Sequence, residues 1–220
     1  MSSKYAVALL VVGQLIVRAL RAITSKFSKD ERLRFVAVQA AFESIAERVK
    51  VAEQALREAS ARAALADEAQ DNATRTLAEA LAAEGFDRFN PFKVFGLPSP
   101  TAISRQDELG QATTLKLLAK KVLEHPDAKV RSRKAAVAAQ KTADAMVEAV
   151  AAHAAASSEH AALMAERNHS LPEEWRSALA ELKAAIRYGD MKEKTKNYDA
   201  VFGGLPKARK GKKPVVAPPQ

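Results

Sequence analysis

The sequence contains no cysteine. Disulfides, thiolate metal sites and a cysteine nucleophile are thereby excluded, and a reducing cytoplasm is the compartment that fits best. Aromatic residues make up only 5% of the 220 residues, and alanine dominates the apolar 48%. Alanine buries little area per residue, so a core built from it is long and thin. Eight glycines and few clusters of β-branched residues argue against sheets. Catalytic groupings are missing too. Gly96 and the Gly203-Gly204 pair lack the lysine and strand context of a phosphate loop, and neither Gly-x-Ser-x-Gly nor a Ser/His/Asp grouping occurs. Of the four histidines, His153 and His160 are seven apart on one helix face. That is a rise of about 10 Å, too far to share a metal without help from another helix. Glu166-x-x-His169 stands alone, where a di-iron bundle needs two such pairs and two further helical glutamates. His169 reads instead as a cation near a helix C-terminus. The expectation is a protein that is not an enzyme, with no cofactor, no metal and no small-molecule substrate.

What the sequence does have is a heptad pattern. From Phe35 to Ala80 one core position holds Phe35, Phe42, Val49, Leu56, Ala63, Gln70 and Leu77. The other holds Val38, Ile45, Ala52, Ala59, Ala66, Ala73 and Ala80. A 3-4 spacing held this long predicts a helix packed along its length on another, a rod of roughly 70 Å. Gln70 alone breaks the seam, either fixing register through a buried hydrogen bond or turning to solvent.

Taken in order, 1–27 is an apolar and basic N-terminal helix. Tyr5–Val17 is uncharged and too short to span a bilayer, which takes about 20 residues. It is read first as a buried helix of the bundle. The alternatives are an interfacial or membrane-inserted helix and, last, a cleaved signal peptide. Ser28 and Glu31 have capping-box spacing, so the long helix is expected from Lys29 to Glu84, with Gly85 as a left-handed cap. The segment 28–104 ends in a loop carrying Phe86, Phe89, Phe92 and Phe95, expected to plug the bundle end or else to dock a partner. A further helix is expected to open at Ser104 and stop at His125-Pro126. The next runs from Asp127 to His169, bends at a second box, Ser170 to Glu173, and restarts to Gly189. Residues 105–206 form this second helical unit, and the basic tail 207–220, KARKGKKPVVAPPQ after Pro206, is expected to stay disordered.

The loops NPFKVFGLP (90–98) and NYDAVFGGLP (197–206) nearly repeat, each after a short helix and a long one. Tandem duplication of a unit of helix, long helix and loop is the reading, with Phe92, Phe95, Leu97, Phe202 and Leu205 as the docking candidates.

The formal charge is +9. It is concentrated in Arg18 and Arg21 near the start and in Lys207, Arg209, Lys210, Lys212 and Lys213 at the end, with no acid in 1–27 or 200–220. A third cluster, Lys129, Arg131, Arg133 and Lys134, opens a helix and opposes its dipole. In composition alone, with no motif behind it, the chain resembles phasins, the alanine-rich helical proteins that coat polyester granules. The reading is an all-α, elongated antiparallel helical bundle or coiled-coil-like hairpin. Its expected role is structural or in assembly, with the basic ends anchored to an acidic surface. A protein partner or self-association is expected. An anionic membrane surface comes next and non-specific, salt-dependent nucleic-acid binding third. The protein is placed in the cytoplasm, with the membrane surface as an alternative.

Overall fold

The computed structural model describes residues 3–205, and the described chain is all-α, with no strand among those residues. The helices are α1 (Ser3–Leu20), α2 (Lys29–Ala83), the short α3 (Pro100–Ile103), α4 (Glu108–Glu124), α5 (Val130–Ala165), α6 (Leu171–Glu193) and α7 (Asn197–Phe202). Single 3-10 turns lie at Lys26–Ser28 and Lys93–Phe95, and a π-helical turn at Glu166–Ser170 joins α5 to α6. The tail cations Lys207, Arg209, Lys210, Lys212 and Lys213 lie outside the described residues.

The chain divides into two compact units, and they do not follow the sequence order. Unit 2 is Val49–Ala162; unit 1 takes the residues up to Arg48 and those from Leu163 on. Each contains a short helix, the start of the long helix after it, the end of the other long helix, and the segment that follows that end. Unit 1 holds α1, the start of α2, α6 and α7. Unit 2 holds the rest of α2, α3, α4 and most of α5.

Within unit 1, α2 and α6 run antiparallel: Arg34 pairs with Glu181, and the Phe35 ring lies 5.5 Å from that of Trp175. Leu171, Trp175, Ala178, Leu182, Ile186 and Gly189 recur at threes and fours and are all buried, the stripe an amphipathic helix presents to a core. On α1 the buried face is Ala6, Leu9, Gly13, Ile16 and Leu20. Burying a side chain the size of Phe or Leu stabilises by about 1.5–3 kcal/mol, so the few large residues carry this core. Within unit 2, Leu77 and Leu81 of α2 meet Leu115 and Leu118 of α4 and Met146 of α5 in one cluster, closed at its end by Phe92, Phe95 and Ile103.

The heptad seam is buried at Phe35, Val38, Phe42, Ile45, Val49, Ala52 and Ala59, and again at Gln70, Leu77 and Ala80. Leu56 departs from it and is only half-buried, as are Ala63, Ala66 and Ala73. The reason is coverage. The first turn of α4 lies beside Gln70, whose Nε2 donates to the Glu108 carbonyl at 3.4 Å.

Several expected helix ends differ. The first capping box does not form: Ser28 ends a 3-10 turn with its hydroxyl buried, and the cap is Ser25, whose Oγ accepts from the Phe27 N–H at 3.3 Å. Arg32 replaces the box, donating to the carbonyls of Ile23, Ser25 and Ser28 and so clipping the turn to α2. Ser104 closes α3 instead, its N–H donating to the Pro100 carbonyl at 3.0 Å, and the N-cap of α4 is Asp107, accepting from the Gly110 N–H at 2.6 Å. The α5 helix opens at Val130 rather than Asp127, so Pro126 sits in the turn before it. At Ser170 the chain does not restart. The π-turn widens the helix ahead of Pro172, whose missing N–H and ring an α-turn would not accommodate, and the helix continues. His169 therefore sits inside a continuous helical run and not at a terminus. Gly189 does not stop α6 either. It is buried, and a Cβ there would come within 2.8 Å of the Ser25 Oγ, so glycine serves close approach. Lys194, in the left-handed region at φ 52°, ends the helix instead. Gly85 caps α2 as expected, with φ 101°.

Candidate anionic-surface interface

Tyr5–Val17 is buried on one face only. Val7, Val11 and Leu15 recur every four residues and point outward, Val11 being 54% exposed. Exposed Arg18 continues the stripe, and Arg21 follows in the turn. Ala6, Leu9, Gly13, Ile16 and Leu20 hold the helix on unit 1 while Val7, Val11 and Leu15 face out. The outer face is thus an apolar strip ending in cations. No described helix is long and apolar enough to cross a membrane.

Phe92 and Phe95 lie inside the unit 2 core. Phe95 stacks on Phe86 at 5.7 Å and meets the His125 ring at 5.2 Å, and Lys121 Nζ holds its carbonyl at 2.6 Å. Leu97 is half-buried, and Val94 and Phe89 are exposed, Phe89 by 94%. In the second loop the pattern inverts. Val201 is buried, while Phe202 is half-buried against the Tyr198 ring at 4.9 Å, and Leu205 is half-buried. Gly96 is left-handed at φ 67° and Gly203 right-handed at φ −65°, so the shared Val-Phe-Gly takes two different paths. The repeat predicts equivalent places for Val94-Phe95 and Val201-Phe202, and the different backbone at the following glycine sets them apart.

Other features do match. Arg133 clips the turn before α5, donating to the carbonyls of Ala128 at 2.8 Å and His125 at 3.2 Å, as Arg32 clips the turn before α2. His125 in the one turn meets Phe86 at 5.5 Å, and Phe27 in the other meets Tyr188 at 5.6 Å. Asp87 accepts from the N–H groups of Phe89 and Asn90 at 2.8 and 3.3 Å. Asp190 accepts from those of Asn197 and Tyr198 at 2.9 and 2.7 Å. For Asp87 the N–H groups of Phe89 and Asn90 hold the carboxyl below its ordinary value. For Asp190 desolvation pushes upward, and the donors from Thr195, Tyr198 and Asn197 outweigh it, so its carboxyl also stays low.

The third basic cluster has its compensation. Glu84 accepts from the N–H groups of Lys129 and Ser132, both at 2.8 Å, placing a carboxylate at the N-terminus of α5. Desolvation raises its pKa, but Ser132 and Lys129 together bring it below the ordinary value. Lys129, Arg131, Arg133 and Lys134 are exposed, with the Arg133 guanidinium engaged by the turn. His153 and His160 are half-buried, and among the described residues no three His, Cys, Asp or Glu converge on a metal-sized site.

The sequence reading missed the outward stripe of α1, although the Val7, Val11 and Leu15 spacing was open to view, and it missed exposed Leu33 and Val36 on α2. No protein-family model matches the chain, and neither a curated protein nor a solved structure is significantly similar to it.

Proposed function

We propose that this chain is a non-enzymatic helical structural protein held to an acidic surface by its N-terminal region. An anionic membrane is the surface the outer face of α1 suits best. The observation that carries this is the exposed strip of Val7, Val11 and Leu15 running into Arg18 and Arg21. An apolar strip that enters the headgroup layer, with arginines at the phosphates, is how interfacial helices bind. The test is flotation of the full chain with vesicles of anionic or of zwitterionic lipid. Binding to the anionic vesicles, lost in Val11→Asp and weakened by salt, supports the proposal. No flotation, or equal flotation with zwitterionic vesicles, rules it out.

Non-specific nucleic-acid binding is the competing reading, and the Arg133 engagement with the turn before α5 weakens it. The paired clips of Arg32 and Arg133 and the paired aspartates support descent of both halves from one duplicated unit, with the loops diverged since.

A further inference from the structure

Where α1 meets the start of α2, an open cleft of about 380 Å3 is lined by Val17, Leu20, Leu33 and Val36, with Arg21, Lys29 and Arg32 around it. That volume lies in the range of small-molecule sites. Leu20 is packed into the core, while Leu33, 61% exposed, and Val36, 39% exposed, leave the α2 side of the apolar wall open. Of the three cations, Arg32 is committed to the turn carbonyls. Arg21 and Lys29 remain, and neither side chain has an ion pair or hydrogen bond among the described residues. Asp30 and Glu31, the nearest acids in sequence, do not line the cleft.

We propose that this cleft binds a long-chain fatty acid, its hydrocarbon chain along Val17, Leu20, Leu33 and Val36 and its carboxylate between Arg21 and Lys29. One groove between two helices accepts a single chain, and a carboxylate matches the planar fork of arginine with a lysine beside it. The inference rests on the cationic N-terminal region named above as a surface anchor, but not on membrane binding, because the stripe of Val7, Val11 and Leu15 does not line the cleft.

The experiment uses the full chain and a fluorescent long-chain fatty acid below its micelle concentration, displaced by laurate or by dodecanol. Saturable one-to-one binding is expected, with laurate displacing about tenfold better than dodecanol. Leu33→Asp and the pair Arg21→Gln/Lys29→Gln should each weaken binding by about tenfold or more, with helicity unchanged because these side chains are exposed. Val11→Asp should leave fatty-acid binding intact while abolishing vesicle flotation, and Leu33→Asp should do the reverse. Each proposal can thus fail alone. Absence of saturable binding, equal displacement by the alcohol, or indifference to Leu33→Asp and to Val36→Asp would overturn the assignment.

Discussion

The indole N–H of Trp175 donates to Oε1 of Gln39 at 2.9 Å, in the interior of unit 1. The same amide spends its nitrogen on the Leu10 carbonyl at 3.2 Å and the Glu43 carboxylate at 2.9 Å. One glutamine, 2% exposed, therefore ties α2 to α1 and to α6. Gly13 makes room for it, because a Cβ at that position would overlap the Gln39 side chain. A buried amide with donors and acceptor satisfied specifies one arrangement of three helices, where an apolar residue would permit several.

Gln39→Leu should destabilise by about 1–3 kcal/mol, since the indole N–H and the Leu10 carbonyl lose their partner in a buried place. Gly13→Val should do at least as much by displacing the amide. Chemical denaturation read by Trp175 fluorescence measures both, as this is the only tryptophan. Unchanged midpoints would mean that α1 does not pack on α2 through this amide.

The seam makes a paired prediction. Leu77 is fully buried and Leu56 is not. Leu77→Asp should cost at least about 3 kcal/mol, and Leu56→Asp about 1 kcal/mol or less. Thermal melts followed by circular dichroism would show the difference, and equal shifts would contradict the partial cover at Leu56.

The two loops should answer differently to the same change. Phe95→Ala should cost about 3 kcal/mol because its ring fills the end of the unit 2 core. Phe202→Ala should cost about 1 kcal/mol, its ring being half-exposed between Tyr198 and the Lys183 ammonium at 5.3 Å. A Phe202→Ala loss as large as that of Phe95→Ala would mean the loops are equivalent after all.

Acid should loosen the head of α5. Glu84 titrates below its ordinary value of 4.5, so its contribution is complete above that pH and is lost as pH falls through the lower folded-state value. Glu84 is only half-buried, which keeps the effect modest. Glu84→Gln should lower stability by about 1 kcal/mol at neutral pH and flatten this part of the acid transition. An acid profile identical to that of the parent protein would remove Glu84 from the cap.

The long helix was legible because its heptads are long and its end is a glycine. Leu56 was not, since a heptad register names the face that turns inward but not how many neighbours reach it. Pro172 invited a break because an α-helix cannot hold it, yet one π-turn absorbs it without ending the helix. Gln39 escaped notice because its position lies beside the heptad seam, and only the meeting with Trp175 across the fold makes it interior. On α1 the arginines were visible, but an uninterrupted apolar run cannot say which valines face out. The three-dimensional neighbours decide that.

The division into units carries a consequence for synthesis. Unit 2 is one unbroken stretch, Val49–Ala162, so all its partners leave the ribosome together. Unit 1 is made of the chain on either side of it, and about 140 residues separate Phe35 from Trp175, whose rings meet. At translation rates of about 5–20 residues per second, the apolar faces of α1 and early α2 wait on the order of ten seconds for α6. During that interval Phe35 is without the Trp175 ring that packs on it, and the nascent chain is open to chaperones.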